Sequence, residues 1–155
     1  MGEPQGKSPS GAMTVSVVPT PCAGHHGCDT IMITYSIRPG VQMPYHDNPG
    51  RRQPGKSAAA YLPNSKEGKD VLRRLKYAFL RGLTFTVGTS MTTGARDQCT
   101  WASVHHKTAM QGGAAMHGYP DPHYLVNANG ELDALGVPKA SDLDDRGNEK
   151  VSITL

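Results

Sequence analysis

An α+β fold in a single domain is predicted, with a small antiparallel sheet, two main helices and long ordered loops. The 155 residues suit one domain. Several short segments alternate apolar and polar residues as strands do, and two others carry apolar residues at helical spacing. The 18 glycines and 12 prolines indicate short elements joined by many loops.

The first third of the chain predicts a lead, two strands and a long loop. Residues 1–12 predict a flexible N-terminal segment, and residues 13–18 predict a short strand. Residues 30–37, TIMITYSI, alternate strictly, which indicates a half-buried strand. Residues 38–60 are rich in proline, glycine and arginine, so we expect a long loop that is either functional or disordered.

A basic amphipathic helix is predicted next. Asn64 is the expected N-cap, and Glu67 three residues later completes a capping box. The apolar stripe of this helix is expected to comprise Val71, Leu72, Leu75, Phe79 and Leu80. We interpret the lysines and arginines on its other faces as a solvated surface.

A hairpin is predicted after this helix. Residues 83–87, LTFTV, and residues 99–106, CTWASVHH, read as two strands. The loop GTSMTTG at residues 88–94 joins them, and its small residues would let backbone N–H groups and hydroxyls approach a phosphate or ribose. It matches neither a Walker loop nor GxGxxG, so an ordinary turn remains an alternative.

The final helix is predicted from its ends. Asp121 is the expected N-cap with Pro122 at the first helical position, and Gly136 is expected to end the helix. Residues 138–150 are polar and predict a linker. Residues 151–155, VSITL, fit either an added edge strand or a tail.

The charge and composition exclude several classes of protein. A net charge of +3 is small for a DNA-binding domain but suits an anionic ligand such as a nucleotide. No apolar run is long enough to span a membrane, and the polar N-terminus lacks the apolar core of a signal peptide. Three cysteines argue against a secreted disulfide scaffold. We therefore expect a cytoplasmic or nuclear protein without a membrane partner.

A metal site is the first chemical alternative to consider. Cys22, His25, His26 and Cys28 lie close together in CAGHHGC. Structural zinc needs four ligands, usually in two separated pairs, and this spacing fits no zinc finger. We interpret the segment as a turn with incidental histidines and expect no metal in this chain.

Two histidine motifs are candidates for ligand binding. His105 and His106 end a predicted strand and would point to opposite faces, so that one faces a ligand while the other packs. A purely structural histidine is the alternative at that position.

The second motif, HGYPDP, places His117 in a turn where Gly118 permits an unusual backbone and the prolines restrict it. His117 is suited to acid–base work, and Glu131 could share a pocket with it. The alternative is a structural turn followed by a solvated glutamate.

The motifs taken in order resemble one known family. The succession CDTIMITYSI, GVQMPYHDNPGRR, YLPNSKEGKDVLRRLKYAF, LTFTVGTSMTTG, HHKT and HGYPDPHYL is similar to the Deltex C-terminal domain. HHKT and GYPDP, behind YLP and FTVG, are its specific parts. The resemblance runs from about Met13 to Val137, which predicts an N-terminal segment at 1–12, the domain at 13–137 and a tail at 138–155.

The resemblance implies a role in ubiquitin transfer. Deltex proteins are E3 ubiquitin ligases linked to Notch signalling and DNA-damage responses. Their C-terminal domain binds ADP-ribose and NAD and brings ADP-ribosylated proteins or nucleic acid to a ubiquitin-charged E2 held by a RING domain. Ubiquitin can also be joined to a ribose hydroxyl of ADP-ribose or NAD. This chain has no RING cysteine array, so we expect weak ligase activity unless a RING acts in cis or trans.

Four site residues are implied by the same resemblance. Ser90, His105 and His117 match family positions that bind the nucleotide, and His117 and Glu131 match positions that support the transfer. One departure lies beside Glu131, because Gly130 stands where the family has helix formers and costs roughly 1 kcal/mol relative to alanine. The alternative function is a non-catalytic protein-interaction module with a vestigial pocket, which would bind a peptide or an E2 through the 38–60 loop or the basic helix.

Overall fold

The computed structural model of the chain describes residues 5–150 and confirms the predicted α+β class. In chain order, the strands are β1 (Gly11–Val18), β2 (Thr30–Ile37), β3 (Gly40–Val41), β4 (Arg52–Gln53), β5 (Lys56–Pro63), β6 (Phe85–Gly88) and β7 (Gln98–Trp101). The two α-helices are α1 (Lys66–Leu80) and α2 (Tyr124–Ala134). The strands form three antiparallel sheets with the orders β1-β2-β5, β3-β4 and β6-β7.

Strand β2 lies at the centre of the largest sheet and has the bounds that its alternation predicts. Ile31, Ile33, Tyr35 and Ile37 are buried and face the core. Tyr35 contacts the rings of Phe79 on α1 and Phe85 on β6, so α1 and β6 pack on the same side of β2. The core therefore lies between this sheet, the two helices and the β6–β7 hairpin.

The prediction of one loop over residues 38–60 is wrong at its end. Residues 56–60 belong to β5, which pairs with β2 from Lys56 opposite Ile37 to Pro63 opposite Thr30. The alanines at 58–60 have low strand propensity, and pairing with a central strand overrides it. The rest of the segment folds back as the short β3–β4 ladder.

Residues 5–10 are held by backbone hydrogen bonds to the residues that follow α1. The Gly6 N–H donates to the Arg81 carbonyl at 2.7 Å, and the Ser8 N–H donates to the Gly82 carbonyl at 3.0 Å. Strand β1 begins at Gly11, which is two residues before the predicted start. Residues 5–10 thus lie along the end of α1.

Helix α1 begins one residue later than expected. Ser65 is the N-cap and its Oγ accepts from the Gly68 N–H at 3.2 Å, whereas the Asn64 N–H donates to the Asp29 carbonyl. The predicted capping box of Asn64 and Glu67 is therefore wrong, because the strand ladder already uses Asn64. Of the predicted apolar stripe, Val71, Leu72 and Leu75 are buried, Phe79 is partly buried and Leu80 is 54% exposed.

The β6–β7 hairpin is shorter than predicted, because the ladder ends where Trp101 pairs with Phe85. His105 and His106 therefore lie in a loop and not at the end of a strand. Their side chains still differ in exposure, because His106 stacks on Trp101 and binds the Tyr35 hydroxyl, whereas His105 remains exposed.

Helix α2 ends where the sequence predicts but begins differently. Gly136 has φ of +80°, its N–H donates to the Asp133 carbonyl, and the Val137 N–H donates to the Leu132 carbonyl, which is a Schellman motif. At the other end, His123 is the N-cap and no side chain caps the helix. Asp121 lies two residues before the N-cap, and its Oδ1 accepts from the His123 N–H at 3.2 Å.

The segment predicted as a polar linker, residues 138–150, is folded against helix α1. It contains a 3₁₀ turn at Ala140–Asp142, and Leu143 is fully buried. Arg73 on α1 also forms an ion pair with Asp145, with Nη2 and Oδ1 2.8 Å apart. Residues 151–155, which fit an edge strand or a tail, lie outside the described residues. No helix within residues 5–150 is long and apolar enough to cross a membrane.

Candidate functional site

An open cavity of about 930 Å³ lies between helix α2 and the loops that precede it. Its lining includes His105, Lys107, His117, Asp121, Tyr124 and Glu131. Three of the four predicted site residues, His105, His117 and Glu131, are therefore brought to one cavity from positions up to 26 residues apart.

His105 and Glu131 form a direct pair. The Glu131 carboxylate accepts from the His105 backbone N–H through Oε1 at 3.0 Å and contacts His105 Nδ1 through Oε2 at 2.5 Å. The Tyr124 hydroxyl donates to the His105 carbonyl at 2.8 Å, which fixes the backbone on the other side. A proton on Nδ1 satisfies the carboxylate, so Nε2 of this imidazole is left as the nitrogen available to a ligand.

The two side chains of this pair differ in their exposure to solvent. The His105 side chain is 84% exposed, whereas the Glu131 side chain is 27% exposed. The carboxylate thus lies behind the imidazole, in the arrangement by which carboxylates orient histidines at other sites.

His117 lies on a tightly bound turn. Its backbone has φ of +55°, in the left-handed region that few non-glycine residues adopt. Its carbonyl accepts from both the Thr108 and Ala109 N–H groups, at 2.9 and 3.2 Å. The imidazole is exposed and makes no hydrogen bond to another residue of the described chain, so it is available to a ligand. Uncommon backbone conformations of this kind often occur at functional sites.

The residues after His117 explain why this turn has its sequence. A side chain at Gly118 would place its Cβ 2.1 Å from the Gln111 carbonyl oxygen, so glycine is required for close approach and not for an unusual φ. The Tyr119–Pro120 peptide bond is cis. Tyr119 is fully buried, and its hydroxyl donates to the Tyr61 carbonyl at 2.8 Å. The turn is thereby attached to β5.

A buried ion pair, which the sequence analysis missed, joins this turn to the HHKT motif. Lys107 Nζ donates to Asp121 Oδ2 at 2.8 Å, and the Lys107 side chain is 8% exposed. The ammonium also lies 5.3 Å from the centre of the Tyr124 ring. The hydrogen bond from Lys107 lowers the pKa of Asp121. The signal was present, since both residues belong to the motifs HHKT and GYPDP, but their separation gave no reason to pair them.

Arg74 on helix α1 explains how Glu131 keeps its position beside Gly130. Its side chain is 2% exposed and donates five hydrogen bonds. The acceptors are the carbonyl and Oδ1 of Asn129, Oδ1 of Asp133, and the carbonyls of Val137 and Pro138. Asn129 and Asp133 flank Glu131 along the helix, so this guanidinium fixes the part of α2 that carries the carboxylate.

Ser90, the fourth predicted residue, lines a different cavity. This second cavity, of about 510 Å³, is formed by the β6–β7 loop with Lys56, Gln98 and Trp101. Ser90 Oγ accepts from the Thr93 N–H at 3.2 Å, and its carbonyl accepts from the Gly94 N–H at 2.8 Å. The structure therefore does not place Ser90 in the cavity that His105, His117 and Glu131 line.

Trp101 and His106 form the wall between the two cavities. Their rings stack with centres 4.4 Å apart and an angle of 25°. Trp101 lines the second cavity and His106 lines the first. His106 Nδ1 donates to the Val104 carbonyl at 3.0 Å, so its Nε2 accepts from the Tyr35 hydroxyl at 2.8 Å. Burial lowers the pKa of His106 to about 4, which makes it a neutral core histidine.

The cysteine and histidine cluster near residue 25 has a structural explanation. His25 packs edge-on against Tyr119 with ring centres 5.5 Å apart, and Cys28 Sγ donates to the His25 carbonyl. Cys22 is fully buried, and burial raises its thiol pKa. Within residues 5–150, no group of three or more His, Cys, Asp or Glu side chains is arranged to hold a metal ion.

The comparisons with known proteins agree with the order of the motifs. The Deltex C-terminal domain matches residues 5–137, so the match begins earlier than Met13. E3 ubiquitin-protein ligase DTX4 of Mus musculus is 44% identical over 142 residues, which cover 90% of this chain and 23% of that protein. Probable E3 ubiquitin-protein ligase DTX3 of Homo sapiens is 51% identical over 108 residues, 70% of this chain and 31% of that protein.

A third relative extends the same pattern. E3 ubiquitin-protein ligase DTX1 of Xenopus laevis is 42% identical over 144 residues, which cover 92% of this chain and 23% of that protein. The chain thus spans less than a third of the length of these relatives, and the shared part is the domain that carries both histidine motifs. The chain belongs to the Deltex C-terminal domain family.

Proposed function

We propose that this domain binds ADP-ribose or NAD and supports the transfer of ubiquitin to the bound nucleotide or to the ADP-ribosylated molecule that carries it. The observation that carries the proposal is the cavity shared by His117 and the His105–Glu131 pair. Its volume of about 930 Å³ is at the upper end of small-molecule sites, which span roughly 300–1,000 Å³. That size suits a dinucleotide-like ligand better than a mononucleotide.

The second cavity extends the proposed binding site. In this proposal, a molecule with two ends joined by a diphosphate extends from one cavity to the other past Trp101 and His106. Ser90 and the backbone of its loop would then contact one end, while His117 and His105 contact the other. Lys107 at the edge of the first cavity is ion-paired with Asp121, so we expect the phosphates to be bound mainly by backbone N–H groups and hydroxyls of the Ser90 loop.

The proposed chemistry uses the His105–Glu131 pair as the base. A ribose hydroxyl oxygen attacks the carbonyl carbon of the ubiquitin thioester, so a C–O ester bond forms and the C–S bond to the E2 cysteine breaks. The imidazole of His105, oriented by Glu131, accepts the hydroxyl proton and returns it to the leaving sulfur. His117 positions the ribose, and because a thioester is already activated, positioning can supply much of the rate.

Ligand binding is tested by titration calorimetry of the full chain with ADP-ribose. We expect binding by the parent and a loss of at least about tenfold in affinity for His117→Ala, which corresponds to roughly 1.4 kcal/mol. His26→Ala is the matched control, since His26 is also exposed but does not line the cavity. Equal affinities for the two variants would remove His117 from the site.

Transfer is tested separately, because this chain is expected to need an E2-recruiting RING. Purified RING domain, E1, E2, ubiquitin and NAD are added to the parent or to Glu131→Gln. We expect ubiquitin-modified NAD from the parent and at least a hundredfold slower formation with Glu131→Gln, in line with the loss of general-base catalysis. If the variant is as fast as the parent while its ADP-ribose affinity is unchanged, Glu131 has no part in the transfer.

A second candidate function is protein recognition without catalysis. It is favoured by three exposed apolar side chains in the segment between β2 and β5, namely Val41, Met43 and Tyr45, which are 53%, 49% and 50% exposed. Such a surface suits a peptide or an E2. If ADP-ribose produces neither heat nor a thermal shift and Tyr45→Ala abolishes binding of a ubiquitin-charged E2, this function replaces the first.

A further inference from the structure

Strand β1 leaves one long edge of the largest sheet open. The Ser10 carbonyl accepts from the Arg38 N–H at 2.9 Å, and the ladder with β2 continues without interruption from Gly11 to Val18. Hydrogen-bonding sides alternate along a strand, so the N–H and C=O groups of Met13, Val15 and Val17 point away from β2. No other strand within residues 5–150 pairs with that side.

The edge lacks the features that usually protect such strands. The sequence of β1, GAMTVSVV, contains no charged residue and no proline, and its eight-residue ladder has no bulge. No lysine, arginine, aspartate or glutamate occurs between Lys7 and Asp29. Natural proteins generally protect exposed edges with charges, prolines or bulges, because an open edge pairs with another chain. An unprotected edge of this length is therefore suited to strand addition.

Exposed apolar side chains accompany the open backbone. Val15 and Val17 lie opposite Ile33 and Ile31 in the ladder, so all four share the side of the sheet that faces the core. The two isoleucines are buried, but Val15 is 41% exposed and Val17 is 54% exposed. The apolar side of the sheet thus continues past the part that the helices cover.

We propose that β1 pairs in antiparallel fashion with β1 of a second copy of this chain, about a two-fold axis at Val15. In this register Val15 lies opposite Val15 of the second copy, and Met13 lies opposite Val17. Each of these residues presents its backbone groups outward, so the facing pairs exchange hydrogen bonds and the two sheets become continuous. The valines of both copies lie on the same side and cover one another.

Charge supports a second copy as the occupant. The strand has no charged side chain that would attract a charged peptide, and two such strands approach without repulsion. The exposed charges near its two ends have opposite sign. Arg38 lies beside Ser10 at the start of the strand. Asp29 lies near the end of the strand, because the next residue, Thr30, pairs with Val18. Antiparallel pairing brings unlike ends together, whereas parallel pairing would bring like ends together.

The expected association is reversible. We expect two eight-residue strands and a few valines to bury less than the roughly 1,200 Å² at the lower limit of stable interfaces. Sedimentation equilibrium of the full chain should therefore give a mass that rises with concentration from 16.6 kDa towards twice that value. A mass of 16.6 kDa at every concentration reached would overturn the proposal.

Lysine substitution tests the surface. Val15→Lys would place two ammonium groups opposite each other at the axis, and we expect it to return the chain to a monomer. Val41→Lys is the matched control, because Val41 is 53% exposed but lies on β3, and it should associate as the parent does. Association of Val15→Lys at the parental level would exclude this edge.

Amide exchange tests the register. With rising concentration, exchange should slow at the outward amides of Met13, Val15 and Val17, while Thr14 and Ser16, already bonded to β2, change little. If the edge instead takes an extended peptide from a different protein, the chain stays monomeric and those three amides remain unprotected, which contradicts the proposal.

Discussion

The two cavities differ in how their polar side chains are held. In the first cavity, contacts between distant parts of the chain hold them, because Glu131 binds His105 and Arg74 braces α2 on both sides of Glu131. In the second, Ser90 is held by its own loop through the Thr93 N–H. The first cavity therefore depends on the packing of α2 on α1, whereas the second depends on one hairpin. Changes that loosen α2 should affect the first cavity and spare the second.

Replacing Arg74 by methionine should have the largest effect. The variant leaves the carbonyls of Val137 and Pro138 and the side chains of Asn129 and Asp133 without this donor. Hydrogen bonds to charged groups contribute about 1.5–3 kcal/mol each and are not additive, so we expect the free energy of unfolding to fall by about 3 kcal/mol or more. Urea denaturation measures this loss.

Arg73→Met is the control for that experiment. Arg73 pairs with Asp145, whose side chain is 89% exposed, so the loss should be at most about 1 kcal/mol. Equal losses for the two variants would mean that Arg74 does not brace α2.

Lowering the pH should reduce the free energy of unfolding, because His106, in the wall between the cavities, is neutral in the folded chain. The pKa of His106 is about 4 in the folded chain, below the ordinary value of about 6.5 in the unfolded chain. The neutral imidazole therefore contributes stability above pH 6.5, and this contribution is lost as the pH falls towards 4. Linkage gives a total loss of roughly 3 kcal/mol over that range.

Urea denaturation between pH 7 and 4 measures this dependence. His106→Phe keeps a ring against Trp101 but cannot titrate, so its stability should be lower at pH 7 and should fall less than that of the parent between pH 7 and 4. A parental slope in this variant would assign the pH dependence to other groups.

Replacing Gly130 by alanine should change the stability of the fold and its affinity for ADP-ribose in opposite directions. A Cβ at this position meets nothing within 4 Å, and alanine is favoured over glycine in a helix by up to about 1 kcal/mol. The same methyl group enters the first cavity, which Gly130 lines. We expect a higher free energy of unfolding together with weaker ADP-ribose binding.

Gly27→Ala is the matched control for Gly130→Ala, because its Cβ also meets nothing and it lies outside the cavity. It should leave calorimetric binding unchanged. Unchanged binding by Gly130→Ala as well would show that ligand does not approach α2.

Ser90→Ala should have the smallest effect. It removes one hydrogen bond to an exposed loop amide, which is worth about 1 kcal/mol or less in stability. ADP-ribose affinity should fall less than in His117→Ala, and NMR shifts of His105 and Glu131 should not change. A loss greater than that of His117→Ala would make the second cavity the main binding site.

Local patterns in the sequence were sufficient for several elements. Strict alternation gave the bounds of β2, and Gly136 marked the end of α2 because a left-handed residue is needed there. Residues 56–60 were assigned to a loop, because their strand forms only by pairing with β2. The N-cap of α1 was placed one residue early, because the backbone of Asn64 is used by the sheet.

The sequence identified the candidate site only as a set of separate motifs. HHKT and HGYPDP named two of the cavity's histidines, but the His105–Glu131 contact depends on how α2 docks on α1. No periodicity distinguishes Arg74, which is buried, from its neighbour Arg73, which forms a surface ion pair. Likewise, Lys107 and Asp121 become partners only when the His117 turn folds back.

The account is tested most directly by an NMR titration of the full chain with ADP-ribose. If the first cavity is the nucleotide site, the largest amide shifts will occur at His105, His117 and Glu131, with smaller shifts around Ser90. Shifts confined to residues 40–53, or no shifts at saturating ligand, would contradict it.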